Sequence, residues 1–213
     1  MNAVASTFFL IYAALFPVIN PLGCAPLFLG LTQTSTPAER HALARGVGVN
    51  SFFLLLASLL IGSHVLVFFG ISLPVLRIAG GLIVTTFGWK QLNAGEEADD
   101  APTHHKRSAD SFYPLTMPLT VGPGSISVAI ALGSQRPKVS GLSHLAWLGL
   151  SALAGVAAIS LTVYLSYRFA ERIVALLGPS GTNVVVRLSA FILVCIGLQI
   201  AWSGFSDLTG LGH

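Results

Sequence analysis

Charge is what this sequence has least of. Lys, Arg, Asp and Glu make up 9% of its 213 residues, where a soluble domain carries roughly 25%. A chain of this length can bury a good core, but in water it still needs a charged surface. The composition therefore weighs against a soluble Gly/Ala-rich α/β domain. The net charge of +3 is too small for a nucleic-acid-binding face. Cysteine is scarce too. Cys24 and Cys195 both sit in apolar stretches and read as small core hydrophobes, not as a disulfide framework. No spaced Cys/His/acid cluster suggests a tight metal site. His104 and His105 are adjacent in a polar stretch and have no fixed partners in the pattern. Gly122-Pro123-Gly124 is not followed by the lysine and hydroxyl residue of a nucleotide-binding loop. Ser125 and Ser127 have no base nearby in sequence. These absences point to a membrane protein that is not an enzyme and needs no cofactor.

What is there is apolar, at 54% of residues. Charge-poor stretches divide the chain into six candidate spans: Phe8–Leu31, Val47–Gly70, Leu73–Leu92, Phe112–Gln135, Val139–Tyr167 and Leu188–Ser206. The third is the weakest. Only Ile78–Trp89 separates Arg77 from Lys90, and twelve helical residues rise about 18 Å against a hydrocarbon core roughly 30 Å thick. Arg77 and Lys90 must then snorkel or face protein. Thr36-Pro37-Ala38-Glu39 has the chemistry of a helix start. Gly178-Pro179-Ser180-Gly181 has that of a turn. With six crossings, Arg40, Arg45, Lys90, Lys106, Arg107, Arg168, Arg172 and Arg187 fall on one side and Arg77, Arg136 and Lys138 on the other. The positive-inside rule then puts the first group in the cytoplasm and both termini outside. Pro21-Leu22-Gly23-Cys24 has the cysteine of a lipoprotein cleavage site. The stretch before it lacks a basic region and has proline where that site wants an aliphatic residue, so it reads as a span.

Two of the spans are broken. The first is interrupted by Phe16-Pro17-Val18-Ile19-Asn20-Pro21-Leu22-Gly23, and the fourth by Met117-Pro118-Leu119-Thr120-Val121-Gly122-Pro123-Gly124. Proline and glycine in mid-span free backbone polar groups that lipid cannot satisfy, so such breaks belong where a helix lines a protein-enclosed cavity. Freed N–H groups near Asn20 and Gly23, and near Gly122 and Gly124, can meet an anionic group with help from the local dipole. Asn20 and Thr120 add short polar side chains, and glycine lets backbone approach a small ligand. The candidate substrate or ion pathway is Asn20, Pro21, Gly23, Thr116, Thr120, Gly122, Pro123, Gly124 and Ser125. Thr116, Thr120 and Ser125 are the candidate sodium ligands. No carboxylate lies deep in a span, which leaves His64 as the candidate proton site.

The broken spans come in matching order with a second likeness. The run from Val75 through Arg77 and Gly80-Gly81 to Thr85 can be laid on the run from Val185 through Arg187 and Ser189-Ala190 to Cys195. The expected fold is thus an all-α membrane protein of six transmembrane helices in two inverted three-helix repeats, with the first and fourth helices broken. Residues 1–95 form the first repeat, 96–111 a charged linker and 112–213 the second repeat.

With these motifs the chain resembles the MarC family of small integral membrane proteins, which is similar to neutral amino acid transporters of the LysE-type exporter superfamily. The likeness covers nearly the whole chain. It rests on Phe16–Gly23, Gly80-Gly81, Pro118–Gly124 and the closing Arg187–Gly197 stretch. The family signature falls on Asn20, Pro21, Gly23, Gly122, Pro123 and Gly124. The resemblance implies six spans in two repeats and a secondary transporter of small solutes such as glycine or other small neutral amino acids, working by alternating access. Its partners are then a small neutral solute and the lipid bilayer, and its coupling ion H+ or Na+. The location implied is the cell membrane, the inner membrane in a Gram-negative cell. A small-solute channel, or a structural or regulatory membrane protein, is the alternative.

Overall fold

In hydrocarbon a backbone has only itself to bond with, so helices are the form open to these apolar runs. The computed structural model describes residues 3–93, 110–134 and 142–210. In chain order they form α1 (Ala3–Ile19), α2 (Pro21–Leu31), α3 (Pro37–Phe68), α4 (Leu73–Asn93), a π-helical turn (Leu115–Thr120), α5 (Pro123–Ser134), α6 (Leu142–Arg168) and α7 (Ala170–Thr209). Most of the expected linker, with His104 and His105, lies outside the described residues. The start of α3 follows from its local chemistry. Glu39 N–H donates to Thr36 Oγ1 at 3.3 Å and Thr36 N–H donates to Glu39 Oε2 at 2.8 Å, a reciprocal cap behind Pro37.

The outer surface is apolar. Val67 is 80% exposed, Phe68 83% and Leu176 89%. Such a surface belongs against lipid. Hydroxyls in the helices turn inward on their own backbone. Ser58, Thr86, Ser134, Ser151 and Thr162 each donate to the carbonyl four residues back, which satisfies them without water.

Glycine sets how closely the helices pack. Gly81 and Gly88 of α4 face Gly197 and Ala190 of the antiparallel α7, and Gly204, seven residues further along α7, meets Pro74, Arg77 and Ile78 at the start of α4. A methyl group on Gly81 would fall 2.5 Å from the Gly197 carbonyl oxygen, and one on Gly88 would fall 3.0 Å from that of Ala190. Small residues let two backbones meet where hydrophobic driving force between helices is absent. The short α5 sits inside the bundle against α1, α3 and α4, with Gly124, Ser125, Ser127 and Ala129 buried.

The six-crossing, inverted-repeat architecture is not what the structure has. Among the described residues three helices are long and apolar enough to cross a membrane: α3, the Trp147–Arg168 part of α6, and α7. The bent pair α1/α2 makes a fourth if counted as one span, with a bend of 42°. Three features lower the count. In α4, Arg77, Lys90, Gln91 and Asn93 cut the apolar run short. The expected fourth span is a six-residue π-turn followed by a twelve-residue helix, and such a helix is about 18 Å long. The turn signature at Gly178 is a break inside α7 (φ 66°, ψ 177°) and not a loop between spans. Nor do the halves repeat each other. The first break is a single left-handed residue, the second a π-turn with Met117 extended. Arg77 is half-buried and paired with Asp207, while its supposed counterpart Arg187 is exposed. The charge-based orientation rested on six crossings and loses that basis.

Candidate functional site

The first break is built around Asn20. It takes up the left-handed conformation (φ 48°, ψ 56°) and caps α2, accepting from Gly23 N–H on Oδ1 at 3.1 Å. Asparagine tolerates this backbone region better than most residues because its short polar side chain bonds locally. Pro21 at the first helical position needs no N–H partner. Gly23 has no side chain because the Asn20 amide fills that space: an added Cβ would lie 2.7 Å from Oδ1 and 2.8 Å from Cγ. Asn20 Nδ2 is buried and has no hydrogen-bond partner among the described residues, an open donor in a low-dielectric setting.

The second break is held by hydroxyls. Thr116 donates to the Ser111 carbonyl at 2.6 Å, Thr120 lies 2.7 Å from the Leu115 carbonyl, and Val121 N–H closes the π-turn on the Thr116 carbonyl at 2.8 Å. Thr120 Oγ1 also lies 2.7 Å from the Tyr167 hydroxyl, and the Tyr167 ring stacks on Phe28 at 4.5 Å. Then α5 begins at Pro123. Ser125 donates to the Gly122 carbonyl at 2.9 Å and Ser127 to the Gly124 carbonyl at 2.8 Å. The first-turn N–H groups at Gly124 and Ser125 precede any intrahelical acceptor.

The two breaks meet at a cavity of about 100 Å³. Its lining includes Val18, Ile19 and Asn20 from the first break. Pro118 to Thr120 and Gly122 to Ser125 come from the second, and Ile83, Val84, Phe87 and Leu193 close it from α4 and α7. Ile83, Pro118 and Pro123 are exposed at its rim, whereas Asn20, Thr120 and Ser125 are buried. The volume is well above the roughly 10–15 Å³ that holds one water. Among the described residues no side chain that lines it is ionisable. The helix starts at Asn20 and Pro123 both border it, so two positive dipole ends converge on an uncharged chamber.

Asn20, Thr120, Gly122, Pro123, Gly124 and Ser125 thus stand together. Pro21 and Gly23 are buried just behind, shaping the cap without lining the cavity. Thr116 is buried in the π-turn, also off the wall. His64 is exposed near the end of α3, away from the cavity. Sequence reasoning missed Gln91, a buried polar residue whose Nε2 donates to the Gly23 carbonyl at 3.3 Å and ties α4 to the first break. It also missed Tyr167. Both stood at the ends of apolar stretches, where a polar side chain reads as interfacial. Among the described residues no group of three or more His, Cys, Asp or Glu is placed to hold a metal ion.

Known proteins fit this description. The family described as "MarC family integral membrane protein" matches residues 5–209. The UPF0056 membrane protein YvbG of Bacillus subtilis (strain 168) is 33% identical over 204 residues, covering 93% of each chain. The UPF0056 inner membrane protein MarC of Citrobacter koseri is 34% identical over 209 residues, 93% of this chain and 94% of that one. Its counterpart in Escherichia coli O157:H7 is 32% identical over the same length, with the same coverage. No solved structure matches. The matched names carry no substrate and do not extend to the LysE-type superfamily or to amino acid transport. They do agree with a multi-pass protein of the kind found in a bacterial inner membrane. Broken helices, apolar exterior and sequence likeness over nearly the full length lead to one conclusion: the chain belongs to the MarC family of integral membrane proteins.

Proposed function

We propose that this chain is a secondary transporter of small neutral solutes, with the cavity between the two breaks as its binding site. One observation carries the reading: two helix starts and the open Asn20 donor border a small chamber that has no ionisable wall. Helix starts favour a carboxylate. An uncharged lining opposes a solute with net charge, because nothing there neutralises it. A zwitterion of the size of glycine or another small neutral amino acid suits both conditions. Alternating exposure of the chamber to the two sides would complete a carrier cycle, with H+ or Na+ as coupling ion. No group in the site suggests bond-making chemistry, and the reading is of a carrier and not an enzyme.

Counterflow in proteoliposomes tests this. Vesicles preloaded with unlabelled glycine, alanine or serine should accumulate the labelled form transiently and saturably, with and without pH and sodium gradients. Flux that rises linearly with concentration and shows no counterflow would make the protein a channel. No flux with any of these solutes, from folded protein, would refute the proposed substrate class.

A further inference from the structure

A second cavity, about 290 Å³, lies along the same helices. It is bordered by Arg77 of α4, Ser127 and Ala131 of α5, and Ile200 and Ser203 of α7. The first cavity uses the same three helices further along: Val84 of α4, Gly124 and Ser125 of α5, Leu193 of α7. From one cavity to the other the lining shifts along each helix, by about two turns from Val84 to Arg77, from Gly124 to Ala131 and from Leu193 to Ile200, in a consistent direction. The second cavity therefore lies toward the face where α4 begins at Leu73 and α7 ends at Thr209.

Between the two stands a single tight crossing. A methyl group on Gly80 would fall 2.6 Å from Ser127 Cβ. One on Gly124 would fall 3.4 Å from Val84 Cβ and 3.5 Å from the Gly80 carbonyl oxygen, and would overlap a Val84 methyl. Val84 and Gly124 belong to the first cavity, Ser127 to the second. Arg77 borders the outer cavity with its guanidinium paired to Asp207, the carboxylate about half exposed.

We propose that the two cavities are consecutive chambers of one solute path, with the Gly80/Val84/Gly124/Ser127 crossing as the gate between them. Arg77 is then the positive group that meets a carboxylate at the outer chamber. This rests on the transport reading and adds its route. A gate of small side chains needs only a modest sliding of α4 against α5 to open, whereas a gate of locked large residues would need repacking. Among the described residues that line the two chambers Arg77 is the one cation, and a solute carboxylate that competes with Asp207 for it is drawn to the outer chamber before or after the uncharged inner site.

Cysteine labelling tests the path without any substrate. The background is Cys24→Ala/Cys195→Ala, reconstituted in one orientation. Ser203→Cys reports the outer chamber and Ser125→Cys the inner one. Water-soluble methanethiosulfonates added at the Leu73/Thr209 face should label Ser203→Cys quickly and Ser125→Cys at least tenfold more slowly. Val84→Ala, which removes the methyl that abuts Gly124, should raise the inner rate several-fold and leave the outer rate unchanged. An anionic reagent should label Ser203→Cys faster than a neutral one by about fivefold, the factor expected for unit charges about 4 Å apart in water, and Arg77→Gln should abolish that preference. If Ser203→Cys reacts only with a lipid-soluble maleimide, the outer cavity is a lipid groove and the proposal fails. If Val84→Ala leaves the inner rate unchanged in folded protein, the crossing is not the gate and the proposal also fails. Failure of counterflow in the wild type defeats the transport reading separately, and the labelling rates still decide whether the two chambers connect.

Discussion

Asn20 does two things that substitution can separate. Its backbone sits in the left-handed region and its side chain caps α2. Asn20→Ala loses the cap and places a Cβ residue in an unfavourable conformation. The cap is worth about 0.5–2 kcal/mol and the left-handed backbone costs about 1–2 kcal/mol for an ordinary residue, so the total loss is roughly 1.5–4 kcal/mol. Asn20→Gly loses the same side chain but accepts the backbone freely, and glycine at a helix start costs only a few tenths of a kcal/mol. Stability should therefore fall in the order wild type, Gly, Ala, with most of the gap between Gly and Ala. Solute affinity should follow a different order. Both variants lack the buried Nδ2 donor, and a hydrogen bond of about 0.5–1.5 kcal/mol corresponds to as much as tenfold in Kd. Both should thus bind the solute equally weakly. Unfolding in mixed micelles gives the first order, and titration of folded protein with glycine, alanine and serine gives the second. Equal stability of Gly and Ala would refute the strained-cap account. Wild-type affinity in both would remove Asn20 from the site.

Three further outcomes follow from the packing. Gly124→Ala should lower solute affinity and cost about 1–3 kcal/mol by overpacking against Val84, and Val84→Ala in the same chain should recover part of both; a double-mutant cycle measures the coupling. Gly81→Val should abolish folded yield, because its side chain would meet α7 backbone that cannot rotate away, whereas Gly30→Ala, facing open space, should be neutral or stabilising by up to about 1 kcal/mol; expression and thermal melts compare them. Gln91→Met should cost about 1 kcal/mol by removing its hydrogen bond to the Gly23 carbonyl, while Gln91→Glu should cost several times more by burying a charge; chemical unfolding distinguishes the two.

The breaks were legible because proline, asparagine and glycine act locally. Asn20-Pro21 and Gly122-Pro123-Gly124 both start helices where the sequence placed interruptions, and Thr36-Pro37-Ala38-Glu39 caps α3 as its chemistry indicated. The number of crossings was not legible, because freedom from charge was taken as membrane-spanning length. The twelve residues of α5 are apolar because they are buried inside the bundle, not because they cross lipid. Helix α4 keeps Arg77 by pairing it with Asp207, 130 residues away, a partner no local pattern reveals. The likeness of the Arg77 and Arg187 runs reflected apolar composition, and their surroundings differ. For the site, sequence named the polar and flexible residues. The walls contributed by Ile83, Val84, Phe87 and Leu193 needed the tertiary contacts, since aliphatic residues on a cavity wall look like any others.

The claim that the chamber between the breaks holds a small neutral solute is tested most directly by substrate protection. Ser125 lines that chamber and is buried. In the Cys24→Ala/Cys195→Ala background, the rate at which a small thiol reagent modifies Ser125→Cys should fall saturably as glycine, alanine or serine is added, and by a larger factor than the rate for Ser203→Cys. A Ser125→Cys rate that stays constant up to saturating solute, in protein that still catalyses counterflow, would place the binding site elsewhere and contradict the account.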